Sequence, residues 1–257
     1  MDANLAPSRS KPVSITMLGT GDAFASGGRA QAGYFVEADG MRIMMEAGPE
    51  LLGSMKRAGL RPGDIDVFLI SHLHGDHYGG IPFLMLEYLW ETRLDHKVVI
   101  AGPRNLEPRC WRLMNTLFPG FDLARIKRQI KFVELAPGKT VKIGKLKIAS
   151  IRSPHTAPDI SLSFRIEAAG RTIAFSGDTG WNEKLVSLVD GADLFICECT
   201  YYESNHLKIH LNYPDLAANR GRFNVGRMVL THIGREVLKH KAEVEVEMAF
   251  DGMRIEI

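Results

Sequence analysis

His72-Leu73-His74-Gly75-Asp76-His77 sets three of the chain's nine histidines and a carboxylate within six residues, directly after the apolar run Val67-Phe68-Leu69-Ile70. The run reads as a short buried strand bounded by polar turn residues. In extended chain, residues two apart share a side, so His72 and His74 can present their imidazoles to one point. Gly75 is expected to allow a sharp turn that brings Asp76 and His77 round behind them. Imidazole nitrogen with carboxylate oxygen suits zinc, and also manganese or iron. A single ion rarely draws four ligands from so tight a cluster, so a pair of divalent ions is the better match.

Length and composition bound the rest. A chain of 257 residues can bury one sizeable core, and 45% hydrophobic with 24% charged residues is ordinary for a globular protein. A net charge of +2 does not by itself argue for nucleic acid or membrane. Three cysteines make no disulfide framework. Cys197 and Cys199 alternate along the apolar stretch 194–199 and are expected to pack on one face, which suits a reducing cytoplasm. Residues 1–10 lack the apolar core of a signal peptide and read as a loose tail, and no apolar run approaches membrane-spanning length.

Strand patterns open the chain over 13–18, 34–37 and 41–45, with Asp39-Gly40 as a hairpin turn between the last two. A helix is expected over 49–57, then the strand that delivers the histidine motif, then a largely buried helix over 81–89 with Tyr88 and Trp90 in the core. The second half repeats this grammar. Residues 170–178, Gly-Arg-Thr-Ile-Ala-Phe-Ser-Gly-Asp, parallel residues 40–48, Gly-Met-Arg-Ile-Met-Met-Glu-Ala-Gly, and each leads to a helix and an apolar strand. A duplicated half implies two packed sheets with helices outside and polar residues gathered where strands end. No linker rich in Pro or Gly divides the chain, so one domain is expected over 1–257.

The form H-x-H-x-D-H resembles that of the metallo-β-lactamase superfamily of metal-dependent hydrolases, and the likeness continues along nearly the whole chain. Leu18-Gly19-Thr20-Gly21-Asp22 is similar to the superfamily's opening strand and turn. Ser153-Pro154-His155 supplies an isolated histidine, Ser176-Gly177-Asp178 a bridging aspartate, and Thr231-His232-Ile233-Gly234 the last metal loop. The resemblance implies an α/β fold, an αββα sandwich of two mixed β-sheets flanked by helices. It implies that His72, His74 and His155 hold one ion, that Asp76, His77 and His232 hold the other, and that Asp178 lies between. It also implies two divalent ions, zinc first, with manganese or iron as substitutes.

Such a pair can share a bridging hydroxide made nucleophilic at neutral pH, a device that serves phosphodiesters, carboxylic esters, lactones and thioesters alike. Two features lean toward phosphodiesters. Residues 193–201 followed by His210 resemble the ribonuclease Z branch, where a histidine after a glutamate-threonine strand end is thought to act on the leaving group. An alkoxide leaves poorly unless protonated, and a histidine can supply the proton. Asp76, beside its ligand role, and His210 are thus the candidate catalytic residues; substrate-binding residues are not identified. A basic stretch over 104–131 with Trp111, Phe118 and Phe121 could grip phosphates and stack bases, although arginines on a helix are more often its solvated face. Arg220, Arg222 and Arg227 are candidate phosphate contacts closer to the motif.

Two departures from that branch matter. Only 22 residues separate His155 from Asp178, so the long arm that clamps tRNA is absent, and Glu46 stands where an aspartate is usual. The expectation is therefore a cytoplasmic dinuclear phosphodiesterase of a small phosphodiester, cyclic ones included. Nucleic acid is the less favoured substrate, no membrane partner is expected, and a homo-oligomer is compatible with the sequence. The alternatives are a carboxylic ester, lactone or thioester hydrolase and a non-catalytic metal-stabilised binding protein.

Overall fold

The computed structural model describes residues 12–156, 159–204 and 206–257; the tail expected over residues 1–10 lies outside the described residues. The first half runs β1 (Ser14–Gly19), β2 (Gly33–Ala38), β3 (Met41–Met45), α1 (Leu51–Arg57), β4 (Val67–Leu69), α2 (Gly75–Tyr78), α3 (Ile81–Trp90), β5 (Val98–Gly102), α4 (Leu106–Leu117), α5 (Ala124–Gln129) and β6 (Ile130–Glu134). The second runs β7 (Thr140–Ile143), β8 (Leu146–Ser153), β9 (Ser161–Ala168), β10 (Arg171–Phe175), α6 (Glu183–Val189), β11 (Ala192–Glu198), α7 (Tyr213–Asn219), β12 (Val225–Thr231), α8 (Arg235–Lys239) and β13 (Arg254–Glu256).

These strands make two mixed sheets, ordered β13-β1-β2-β3-β4-β5-β6 and β12-β11-β10-β9-β8-β7. The expected duplication is visible in how each is built. The antiparallel pairs β2–β3 and β9–β10 are both joined by a two-residue turn with positive φ at each position, Asp39-Gly40 and Ala169-Gly170. Two left-handed residues match the twist of the flanking strands; glycine adopts the second position freely in both turns and aspartate tolerates the first in one, while Ala169 holds the other against its Cβ. Each hairpin then enters a strand–helix–strand crossover, β3–α1–β4 and β10–α6–β11, with the two strands parallel.

Pleating divides the buried side chains between three layers. Tyr34, Val36, Ile43, Met45, Val67 and Leu69 face Leu162, Phe164, Ile173, Phe175, Leu194 and Ile196 of the other sheet. The intervening Phe35, Met44 and Phe68 pack beneath α1, α3 and α4. Ala174, Phe195 and Cys197 meet α6, α7 and α8. Strands covered on both faces read as unbroken apolar runs, which is why β4 and β11 show no alternation in sequence. The fold is the expected αββα sandwich. Cys197 and Cys199 share the outer layer of the second sheet, buried, as expected.

Two expectations are corrected. Trp90, placed in the core on sequence, is 68% exposed at the end of α3, while Tyr88 is buried with its hydroxyl donating to Pro62 O. Helical spacing explains the split, since residues two apart lie on nearly opposite sides of an α-helix. Gly75 makes no left-handed turn: it opens the short helix α2, and an added Cβ would meet nothing within 4 Å. The helical turn itself, with His77 N donating to His74 O, brings Asp76 and His77 round.

Candidate metal centre and active site

The strands β3, β4, β8, β10, β11 and β12 all point their carboxyl ends to one edge of the sandwich. Ligands in open α/β sheets gather at such edges, where the loops are free of the ladder. His72 and His74 leave β4, His155 leaves β8, Asp178 leaves β10, and His232 leaves β12. Four overlapping groups of potential metal-ligating atoms result: His72 with His74 and His155, Asp76 with His77, Asp178 and His232, and two that take in His210, with His155 and Asp178 or with Glu198 and His232; the first two carry the seven residues named from the sequence. Asp178 Oδ2 stands between them, 3.2 Å from His77 Nε2, 3.5 Å from His232 Nε2, 3.7 Å from His72 Nε2 and 3.9 Å from His155 Nε2. All seven residues named from the sequence are brought together.

Hydrogen bonds behind the cluster fix which nitrogen each ring presents. His77 Nδ1–H donates to the buried Glu46 Oε2 at 3.1 Å, and Glu46 Oε1 accepts from Ser71 N. His155 Nδ1–H donates to Ile209 O, and His232 Nδ1–H to Thr200 Oγ1, whose own proton goes to Glu198 Oε2. Each leaves Nε2 unprotonated in the neutral ring, the form a metal ligand requires. His72 Nε2 and His77 Nε2 are buried without a hydrogen-bond partner. Orphaned imidazole nitrogens beside carboxylate oxygens, with no thiolate in the set, match a pair of divalent cations. The residues therefore fit the group.

The site is held by close backbone approach and by strain. Gly177 has φ +54, and a Cβ there would lie 2.6 Å from Leu162 O, so the turn after β10 can carry Asp178 past β9 only as glycine. Glu46 and His232 are non-glycine residues with φ of 63 and 51. Left-handed backbone at two side chains of one cluster is strain of the kind that collects at functional sites.

Charge interactions within the cluster are strong. Burial and the neighbouring His77 push His72 well below the ordinary histidine range. Burial opposes charge on His77 too, but Asp178 and Asp76 outweigh it and raise the ring well above that range. Asp178 and Asp76 are held far below the usual carboxylate range by the surrounding histidines, against the effect of burial. The direction of both shifts favours the anionic carboxylate, the form a cation ligand takes.

His210 lies on the same rim. Its Nδ1–H is shared between Glu198 Oε1 at 3.0 Å and Oε2 at 3.2 Å, and Nδ1 is 3.8 Å from Asp178 Oδ2. Glu198, at the end of β11, is nearly fully buried and also accepts from Thr179 N. Burial lowers the pKa of His210, yet Glu198 outweighs it and lifts the ring to about 9. A cavity of about 490 Å³ opens onto His74, Asp76, Asp178, His210 and His232.

Other sequence candidates stand elsewhere. Arg222 pairs with Glu183 and lies over Trp181, and Arg227 forks onto Glu247; neither these nor Arg220 line the cavity. In the basic stretch, Arg109 pairs with Asp159, Arg125 donates to the carbonyls of Tyr88 and Leu89, and Lys127 lies over Trp111. These contacts are structural. The cavity rim carries Phe24, Arg235 and Glu236, which no sequence argument selected. Phe24 has a faint signal, a lone aromatic among small residues in Ala23-Phe24-Ala25-Ser26-Gly27-Gly28.

A family model described as anti-Pycsar protein Apyc1 matches residues 13–251. An uncharacterized protein of Mycobacterium leprae, ML1173, is 28% identical over 248 residues, covering 93% of this chain and 84% of its own. Among solved structures, the metallo-β-lactamase fold protein YhfI of Bacillus subtilis superposes with a TM-score of 0.79 at 20% identity, covering 95% of this chain and 100% of its own. Human tRNase Z, short form, gives a TM-score of 0.74 at 24% identity and covers 94% and 98%. Likeness at these identities establishes the metallo-β-lactamase fold.

Proposed function

The chain belongs to the anti-Pycsar Apyc1 family, and from its site we propose that it is a metal-dependent hydrolase of small phosphodiesters. His72, His74 and His155 would hold one divalent cation, and Asp76, His77 and His232 a second, with Asp178 shared. When bound, such a pair supplies a water-derived nucleophile at neutral pH and offsets negative charge on the oxygens under attack; zinc is the first candidate.

The observation that carries the phosphodiester assignment is His210 on Glu198 at the cavity wall. Glu198 holds the ring by Nδ1–H, which turns Nε2 over to the substrate. Glu198 also stabilises the imidazolium, so at neutral pH His210 carries a proton that it can give to the leaving oxygen. An alkoxide needs that proton. Asp76, which lines the cavity and is held below the usual carboxylate range, is placed to accept a hydrogen bond from a water nucleophile and so orient it. Thr200 links Glu198 to His232, so the proton donor and the metal cluster are set by one buried carboxylate.

Small substrates are favoured over tRNA because β9 and β10 are joined by a two-residue turn and only 22 residues separate His155 from Asp178, with no arm among the described ones. The basic helices α4 and α5 hold several of their arginines and lysines in internal contacts. A panel on protein loaded with zinc or manganese tests the assignment: aryl phosphodiesters, cyclic nucleotides, 3′-extended pre-tRNA, lactones and thioesters. The highest catalytic efficiency is expected on small phosphodiesters. Preference for lactones or thioesters would make His210 incidental and replace the assignment, and efficient pre-tRNA cleavage would mean another surface does the work of the arm.

A further inference from the structure

The two groups of cation ligands are supported from behind by different chemistry. In the group of Asp76, His77 and His232, both rings lead to buried carboxylates. His77 Nδ1–H donates to Glu46 Oε2 at 3.1 Å. His232 Nδ1–H donates to Thr200 Oγ1 at 2.8 Å, and the Thr200 proton is already given to Glu198 Oε2 at 2.6 Å. Glu46 and Glu198 are both buried. A carboxylate only accepts, so each ring is committed to the tautomer with Nε2 bare, and its basicity is raised. Asp76 adds a negative charge of its own at this position. In the group of His72, His74 and His155 the supports are neutral. His72 Nδ1 meets Ser71 Oγ at 3.0 Å, a hydroxyl that can donate or accept and so commits the ring to neither tautomer. His155 Nδ1–H donates to the Ile209 carbonyl at 2.7 Å. The His74 ring meets His155 Nε2 at 3.0 Å and bonds to no carboxylate among the described residues.

We infer that the two positions fill in a fixed order. The carboxylate-backed position of Asp76, His77 and His232 takes its divalent cation first and tightly. The position of His72, His74 and His155 takes the second weakly, so that the free divalent-cation level decides whether the centre is complete. This rests on the metal centre described above and is independent of which bond is hydrolysed. A carboxylate behind a ligating ring is worth about 10- to 100-fold in affinity, and two stand behind the first position and none behind the second. Asp178 is common to both, so an ion already held at the first position has drawn on its charge and repels the next. The weak position also reaches the segment that carries the proton donor. Ile209, whose carbonyl accepts from His155, immediately precedes His210. The last ion to bind is therefore the one linked through its own ligand to the backbone beside His210.

The test follows zinc binding and not turnover. The full chain, freed of metal, is titrated with zinc against chromophoric chelators of graded affinity, with stoichiometry from elemental analysis and folding from circular dichroism. Wild type should bind in two steps of one ion each, with Kd values at least about 100-fold apart. His74→Ala should abolish the weak step and leave the tight one in place. Asp76→Asn, equal in volume, should weaken the tight step by at least about tenfold. Substitutions behind the rings make the same comparison without touching a ligand. Glu46→Gln should narrow the gap between the steps by about 10- to 100-fold, and Ser71→Ala should move only the weak step. If Asp76→Asn does not fold, Glu46→Gln decides in its place. Uptake of both ions in one step would overturn the order, as would a tight step that disappears in His74→Ala and survives in Asp76→Asn. If wild type takes up no zinc, the metal centre itself fails and this inference with it. Ordered binding without turnover of any phosphodiester would uphold the inference and count only against the phosphodiesterase assignment.

Discussion

Replacing Glu46 by Gln tests how the metal cluster is prepared. Glu46 is fully buried and accepts from two donors, Ser71 N at 2.9 Å and His77 Nδ1 at 3.1 Å. Glutamine keeps the volume but offers one acceptor and one NH₂, so one donor must face another. If the amide oxygen stays with Ser71, the NH₂ meets His77 Nδ1. The ring then escapes the clash only by moving its proton to Nε2, the atom that should ligate. Loss of such a supporting contact typically costs about 10- to 100-fold in metal affinity, or roughly 1.4–2.7 kcal/mol. If instead the oxygen stays with His77, the buried Ser71 N–H is unsatisfied, and stability falls by about 1–3 kcal/mol. Glu46→Asp, one methylene shorter, cannot reach both donors and should show the same losses. Competition against a chromophoric chelator reads the first outcome, and thermal unfolding of metal-free protein the second. Wild-type affinity together with wild-type Tm in Glu46→Gln would refute the claim that Glu46 sets the tautomer of His77.

Asp178→Ala should strip or weaken both ions, since Asp178 Oδ2 lies within 3.9 Å of nitrogens in both groups, whereas His155→Ala should weaken mainly one; elemental analysis after dialysis distinguishes them. Equal and negligible loss in the two would remove the shared role. Phe175→Ala deletes a ring packed edge-on to Tyr34 between the sheets and should cost about 3–5 kcal/mol of stability, read by urea unfolding. A loss below about 1 kcal/mol would show that the layer between the sheets is not packed as described.

Much of this architecture was legible in the chain because two local rules act without help. Period-two burial and paired Asp-Gly or Ala-Gly turns mark β2–β3 and β9–β10, and the apolar runs mark β4 and β11. The seven clustered side chains were legible because they fall at or just after the ends of apolar strand runs, with Gly75, Pro154, Gly177 and Gly234 punctuating those loops. What stayed hidden depends on tertiary approach. Trp90 differs from Tyr88 only in which side of α3 it occupies, and nothing local fixes that. Glu46 was visible as a departure, but its bond to His77 spans 31 positions and needs the parallel pairing of β3 with β4. Arg222 and Arg227 looked free because Glu183 and Glu247 are distant in sequence. Phe24 owes its position to the meeting of the first loop with α8, more than 200 residues apart.

The most direct measurement of the central claim is the effect of His210→Ala on two phosphodiesters that differ only in leaving group. Because the His210 ring also packs on His155 and His232, metal content and Tm are measured alongside, and the comparison between leaving groups is made on protein reloaded to the wild-type metal content. With an alkyl leaving group, catalytic efficiency should fall by about 10²–10⁴-fold, the usual contribution of a positioned acid. With p-nitrophenolate, which departs without a proton, the loss should shrink to less than about tenfold. An equal loss on both substrates, or none on either, would contradict a proton-donating His210 and the phosphodiesterase assignment built on it.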